Sequence, residues 1–136
     1  METKKPVIEF HLDGQTGVAP YLQIVHQVKQ ALRLGLLQPG DQLPTMREIV
    51  GKLAINPNTV FKAYRTLEME GLVGSRPGKG TFILRAMKGP APSDLKVLRQ
   101  GLLQWLKEAY EAGLDAESIL ALFNSTFHEI RKEVRA

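Results

Sequence analysis

The 136-residue chain contains no cysteine, only three histidines and no long apolar run. Without cysteine it forms no disulfide and offers no thiolate to a metal ion, which fits a reducing compartment. His11, His26 and His128 lack metal-ligand spacing, so we expect no metal and no cofactor. No stretch approaches the roughly 20 apolar residues of a membrane span, and the N-terminus does not read as a signal peptide. We therefore expect a soluble, cytoplasmic protein that does not engage a membrane.

Motifs of common enzymes are also missing. The run of residues 78–81, Gly-Lys-Gly-Thr, invites comparison with a phosphate-binding loop, but in that loop a Ser or Thr follows the lysine directly and a helix begins there. Here a glycine intervenes and β-type residues follow. No serine lies in a Gly-x-Ser-x-Gly elbow. The sequence therefore predicts that the protein is not an enzyme.

The net charge of +4 is unevenly placed along the chain. Residues 1–87 carry eleven Lys and Arg against seven Asp and Glu, whereas residues 88–136 carry seven of each. A local excess of positive charge favours a polyanionic partner and strong salt dependence. Charge alone leaves one alternative open, a basic surface that only keeps the protein soluble.

One segment joins a helix start to a polar, basic surface. Asn56 is a preferred N-cap residue, and Pro57 suits the first helical position. Apolar side chains at helical spacing predict one buried face, formed by Val60, Ala63, Tyr64 and Leu67. The side chains left on the outward face are Asn58, Thr59, Phe61, Lys62 and Arg65. A helix that begins in such a surface is a candidate for insertion into a DNA major groove.

The neighbouring elements complete a winged helix-turn-helix domain over residues 1–86. Helices are predicted over residues 20–34, over 45–53 after a Thr-x-x-Glu capping box, and over 56–70. Two short β-type runs within residues 72–84 predict a hairpin with a basic, glycine-rich tip. Three helices and a hairpin wing give an α+β fold that is mainly α.

A Pro/Gly-rich linker, residues 87–93, is predicted before a tail of two amphipathic helices, residues 94–136. The apolar stripes of the tail are wider than one helical hairpin buries by itself. A single winged domain also buries little DNA surface, so we expect a homodimer formed through the tail. The predicted interface residues are Leu98, Leu102, Trp105, Ile119, Leu122, Phe123 and Phe127. The alternative is a tail that folds back on its own winged domain.

Four stretches resemble the GntR family of bacterial transcription regulators, in particular its short-tailed, YtrA-like branch. They are residues 20–24, 35–48, 53–73 and 78–82, which together span about half of the chain. The resemblance implies a transcriptional regulator, a repressor, that binds double-stranded DNA at a pseudo-palindromic operator as a homodimer.

The resemblance also implies positions for the DNA contacts. It places a DNA-contacting arginine at Arg47, and it places base and phosphate contacts at Asn56, Pro57, Asn58, Thr59 and Phe61. The wing-tip positions that enter the minor groove fall on Pro77, Gly78 and Lys79. Some relatives carry arginine where this chain has Pro57 and Phe61, and neither residue can form a bidentate contact with guanine.

Alternatives remain open for several of these side chains. Arg47 lies near the positive end of a helix, where a phosphate or guanine would stabilise it, or it is a solvated charge beside Glu48. Asn58 pairs with adenine, binds phosphate, or is a second polar group near the cap. Phe61 lies against a thymine methyl group or is an isolated exposed apolar side chain.

The remaining cations are predicted to bind the DNA backbone. Lys62 and Arg65 lie further along the helix and give affinity without sequence information. Gly80 completes the predicted DNA contacts of the wing. Lys79, between Gly78 and Gly80, approaches a narrow minor groove or belongs to an ordinary hairpin turn. A winged module that binds a protein instead of DNA is the competing function, and no motif identifies a small-molecule effector.

Overall fold

A computed structural model describes residues 8–87 and 92–135, which fall into two compact units. The described residues form five helices and one two-stranded antiparallel sheet, which confirms the predicted, mainly α fold class. The first unit contains α1 Pro20–Arg33, α2 Met46–Leu53, α3 Pro57–Met69, β1 Val73–Arg76 and β2 Gly80–Ile83. The second contains α4 Pro92–Glu111 and α5 Ala116–Arg135.

The core of the first unit lies mainly between α1 and α3. Ile24 and Val28 of α1, and Val60, Ala63 and Leu67 of α3, are completely buried. Their three- and four-residue spacing gives each helix a single apolar face, and packing of these faces removes both from water. The rotation of α3 about its axis is therefore fixed, which determines the side chains that it exposes.

An irregular N-terminal segment is held against α1 by two glutamines one helical turn apart. The Gln27 side chain accepts from the His11 N–H at 3.1 Å and donates to the His11 carbonyl at 2.6 Å. The Gln23 side chain makes the same pair of bonds to the backbone of Asp13, both at 2.8 Å. Phe10 is buried beside them in the core. The two glutamine side chains thus form hydrogen bonds with backbone groups that have no partner in a neighbouring strand.

A tight turn joins α2 to α3 and completes the helix-turn-helix. The Thr45 hydroxyl accepts from the Glu48 N–H at 3.2 Å, so the predicted cap of α2 is present. The residue after the helix, Ala54, adopts a left-handed conformation with φ 51° and donates to the Val50 carbonyl at 3.0 Å. Asn56 then caps α3. The turn contains a left-handed alanine at a position that glycine occupies with less strain.

The hairpin is joined to the chain segment just before α2. Val73 pairs with Ile83 in an antiparallel register that runs to the turn, where Arg76 faces Gly80. On the other side of β2, the Leu43 N–H donates to the Thr81 carbonyl at 2.9 Å. The Ile83 N–H donates to the Asp41 carbonyl at 2.8 Å. Residues 41–43 therefore serve as a third partner of the sheet, and they fix the hairpin to the start of α2.

The second unit is a helix pair with a small interior. Within its described residues only Ala109 and Ile119 are buried, one on each side of the connecting turn. Asp115 caps α5, because its carboxylate accepts from the Ser118 N–H at 2.8 Å. Most other apolar side chains of the two helices stay exposed to solvent.

The described residues overlap the predicted linker, residues 87–93, at both of its ends. Met87 packs against the core of the first unit, and α4 already begins at Pro92, since proline is compatible with the first turn of a helix. Residues 88–91 lie outside the described residues. None of the helices described is both long enough and apolar enough to cross a membrane.

Candidate nucleic-acid interface

The N-terminal turn of α3 has the geometry that its sequence predicts. The Asn56 side chain accepts from the Asn58 N–H at 2.9 Å, and Pro57 occupies the first turn. This capping bond uses the Asn56 oxygen, so the Asn56 side chain has its amide NH₂ left to donate to a ligand. Asn58 is exposed and Thr59 is half-buried. The start of α3 therefore presents free polar groups to solvent.

A groove of about 700 Å³ lies between α2, α3 and the hairpin; we call it the α3 groove. Three elements contribute to its walls, and four predicted DNA contacts meet there: Arg47, Phe61, Arg65 and Gly80. The complete lining is Thr45, Met46, Arg47, Phe61, Tyr64, Arg65, Glu68, Met69, Ser75, Gly80 and Thr81. The exposed side of α3 and the turn end of the wing thus face a common space.

The other predicted contacts lie outside this lining. Asn56, Pro57 and Asn58 are exposed at the start of α3, and Lys62 is exposed further along that helix. Residues 77–79 are exposed at the tip of the hairpin. The exposure of these residues leaves them accessible, and their contact with DNA stays a prediction.

Lys62 has a partner that the sequence did not reveal. Its ammonium nitrogen lies 4.2 Å from the centroid of the Tyr21 ring, a cation–π contact between α3 and the first turn of α1. The Tyr21 ring is itself half-buried against the core. The ring therefore holds a cation that would otherwise sample many rotamers.

The wing tip is positioned by a side chain from outside the hairpin. The Gln42 side chain donates to the Lys79 carbonyl at 2.8 Å. Gly80 has φ +122°, and a Cβ there would lie 2.6 Å from the Gln42 nitrogen. A side chain at this position would collide with the amide that holds the tip, so the close approach requires glycine. No sequence motif identified Gln42.

Two polar groups modify the electrostatics of the α3 groove. Glu68 contributes a carboxylate to the lining and accepts from the Ser75 hydroxyl at 3.2 Å. Burial, and to a lesser extent the charge of Glu48, raises the pKa of Tyr64, so its hydroxyl remains a donor. Arg47 and Arg65 outnumber Glu68 in the lining, which leaves the groove with a net positive charge. Among the described residues no cluster of His, Asp and Glu is arranged to hold a metal ion.

A second surface lies on the helix pair. An apolar groove of about 320 Å³, the tail groove, is lined by Leu102, Trp105, Leu122, Phe123, Thr126, Phe127 and Ile130. The rings of Phe123 and Phe127 stack at 5.8 Å between centroids with an interplanar angle of 8°. Five of the predicted interface residues thus lie together, and sequence reasoning did not select Thr126 or Ile130.

The other two predicted interface residues lie elsewhere. Leu98 is exposed on α4 outside the tail groove. Ile119 is only 5% exposed, so it packs inside its own unit and is not available to a partner. Its position one turn into α5, next to the connecting turn, accounts for this burial. We therefore remove Ile119 from the proposed interface.

Comparison with known proteins agrees with this architecture. The family model described as bacterial regulatory proteins, gntR family, matches residues 20–83. The HTH-type transcriptional repressor YtrA of Bacillus subtilis is 33% identical over 126 residues, which cover 92% of this chain and 91% of YtrA. The HTH-type transcriptional regulator YhcF of the same organism is 39% identical over 108 residues, 78% of this chain and 88% of YhcF.

A solved structure shows the same fold over most of the chain. The crystal structure described as a transcriptional antiterminator from Listeria monocytogenes EGD-e aligns with a TM-score of 0.54 and 30% identity. The alignment covers 90% of this chain and 92% of that chain.

The fold and its groove define a winged helix-turn-helix protein of the DNA-binding class. This chain belongs to the GntR family, and its predicted likeness to the YtrA branch is confirmed. The family and the relatives are transcriptional regulators and not enzymes, as the sequence predicted. The protein is accordingly a transcriptional regulator with a DNA-binding domain.

Proposed function

We propose that this regulator is a repressor that binds a pseudo-palindromic operator as a homodimer. In this proposal α3 enters the major groove and the hairpin enters the adjacent minor groove. One observation carries the proposal: Arg47 of α2, the exposed side of α3 and the turn end of the hairpin line a single groove. An α-helix fits the major groove of B-DNA, so a duplex can engage all three elements together.

Charge supports this partner. Two arginines line the α3 groove, and exposed Lys62 and Lys79 lie beside it on α3 and on the hairpin tip. Cations of this kind neutralise phosphates and release counterions, which gives affinity that falls steeply with salt. A protein-binding module would not need this arrangement. Because the proposed partner is DNA, we infer that the protein works in the cytoplasm.

The homodimer is supported by the tail groove. Exposed apolar side chains such as Phe123, Phe127 and Ile130 are contiguous there, and a second tail of the same sequence supplies a matching apolar surface. Burial of these side chains in a two-fold dimer would place two winged domains on one duplex. Two half-sites then give the affinity that one module lacks.

Arg47 provides the test of DNA recognition. A binding site selected by the full-length chain from a randomised duplex library should contain two inverted half-sites about 10 base pairs apart or a multiple of that spacing. Arg47→Ala should weaken binding to this site by about 1–3 kcal/mol in fluorescence anisotropy. Arg33→Ala removes the same charge from α1, outside the α3 groove, and should have a much smaller effect. Equal losses in the two variants would count against the proposed site.

The dimer is tested in the full chain by sedimentation equilibrium. Phe127→Glu places a charge in the tail groove and should shift the protein to monomer. Ala121→Glu is the matched control, because at about 100° per residue Ala121 lies opposite Ile130 on α5, outside the tail groove, and is exposed. A Phe127→Glu variant that remains dimeric would contradict this part of the proposal.

The direction of regulation is supported by the name of YtrA, a transcriptional repressor. Transcription in vitro from a promoter that overlaps the selected site should decrease as the protein is added. An increase would show that the regulator activates.

A further inference from the structure

The α3 groove presents an aromatic side chain among its arginines, and its role is not explained by electrostatics. We propose that Phe61 contacts the methyl group of a thymine in the major groove and so specifies thymine at one position of each half-site. The inference deepens the proposed function and rests on it. The side chain is 52% exposed, although a phenyl ring in a free protein is usually better buried.

The rotation of α3 keeps Phe61 in the groove. Val60 and Ala63 are completely buried, and Tyr64 is tied by its hydroxyl to the Pro44 carbonyl at 2.5 Å. At 100° per residue these neighbours leave Phe61 on the flank of the helix, one turn after Pro57. The ring therefore cannot join the core without turning the whole helix, and its exposure is a property of the fold.

The neighbours of Phe61 determine the kind of ligand that meets it. Arg47 and Arg65 line the same groove, and both are donors suited to phosphate and to base edges. When these cations engage a duplex, the ring is brought against the edges of the bases between them. The Phe61 ring lies in the part of the surface that a major groove would cover.

A phenyl ring neither donates nor accepts a hydrogen bond of useful strength, so it cannot recognise the polar groups of adenine, guanine or cytosine. The thymine C5-methyl group is the one apolar group that standard bases display in the major groove. Contact between the Phe61 ring and the thymine methyl group removes both apolar surfaces from water. Cytosine at the same position would instead bury an amino group without a partner, which opposes its binding.

Deoxyuridine substitution isolates this methyl group, since uracil differs from thymine only there. The probe is the site selected by the wild-type chain, with each thymine of one half-site replaced in turn by deoxyuridine. At one position the wild type should lose about fourfold in affinity, the effect of one buried methyl group. Phe61→Ala should bind the thymine and deoxyuridine duplexes equally well at that position.

A matched control is Leu34→Ala. Leu34 is 51% exposed, follows α1 and does not line the α3 groove, so this variant should keep the fourfold dependence on the methyl group. Circular dichroism of both variants checks that they fold.

The inference is overturned if no thymine of the selected site shows the loss, or if Phe61→Ala shows the same loss as the wild type. If the library yields a tightly bound site whose affinity does not depend on any thymine methyl group, only this inference fails and the proposed function is unaffected. Failure to enrich any duplex would overturn the proposed function and this inference with it.

Discussion

The hydroxyl group of Tyr64 donates a 2.5 Å hydrogen bond to the carbonyl oxygen of Pro44, which joins the middle of α3 to the residue before the cap of α2. Both residues are buried, so water cannot replace either partner. A buried carbonyl that loses its donor costs about 1–3 kcal/mol. This bond therefore fixes the relative position of the two helices of the helix-turn-helix.

Tyr64→Phe removes the donor and keeps the ring. We expect the free energy of unfolding to fall by about 1–3 kcal/mol, measured by urea denaturation. Tyr110→Phe is the control, because Tyr110 is 60% exposed on α4 and should change stability by less than about 0.5 kcal/mol. Equal effects of the two substitutions would show that the bond contributes nothing.

The same tyrosine should make stability depend on alkaline pH. Burial raises the pKa of Tyr64 in the folded state above its ordinary value of about 10. Below about pH 10 the Tyr64 hydroxyl is protonated in both the folded and the unfolded state, so its contribution to the free energy of unfolding is complete. As the pH rises further, the unfolded chain releases its proton first, so stability falls. Denaturation between pH 9 and about 11.5 should show a smaller loss in Tyr64→Phe than in the wild type; parallel curves would exclude this linkage.

Ala54→Gly should stabilise the protein. Ala54 has φ 51° and is exposed, so glycine relieves left-handed strain and removes no packed side chain. We expect a gain of about 1 kcal/mol in chemical denaturation, after allowance for the greater freedom of glycine in the unfolded chain. Ala121→Gly, in the ordinary helical part of α5, should instead lose about 1 kcal/mol. A loss in both variants would contradict the assignment of strain to Ala54.

Gly80→Ala should displace the amide of Gln42 and release the wing tip. We expect a larger loss of stability than for Gly78→Ala, because a Cβ at Gly78, which also has positive φ, meets nothing within 4 Å. In a Gln42→Ala background the extra cost of Gly80→Ala should shrink by about 1 kcal/mol, the value of the hydrogen bond to Lys79. If Gly80→Ala lowers stability as much in the Gln42→Ala variant as in the wild type, the steric clash is not with the Gln42 side chain.

Lys62→Ala should reduce the salt dependence of DNA binding. If Lys62 neutralises one phosphate, the slope of log K against log salt becomes shallower by about 0.9. Lys29→Ala is the comparison, since Lys29 is paired with Glu70 at 2.9 Å and does not line the α3 groove. Anisotropy titrations at several salt concentrations give both slopes, and an unaltered slope in Lys62→Ala would place this cation away from phosphate.

Features encoded within a few residues of one another were predictable from the sequence. Thr45 predicted the start of α2, and the apolar spacing after it predicted the observed end at Leu53. Asn56 and Pro57 gave the start of α3, because a cap residue and a proline act on the turn that they belong to. The outward face of α3 followed from the same periodicity.

Contacts between distant parts of the chain were not predictable in this way. Gln42 reaches Lys79, and Lys62 lies over Tyr21, only because the fold brings these segments together. Ile119 has the same apolar character as its exposed neighbours, and its burial depends on the approach of α4 near the turn. Periodicity assigns a residue to a face of its helix, and it does not tell which partner covers that face.

The hydrogen bonds from residues 41–43 to β2 join the wing to the segment that leads into α2. The wing and the start of α2 share one backbone network, so neither can swing independently of the other. In the proposed complex a duplex would therefore meet a preformed surface, and the protein would lose little conformational freedom on binding.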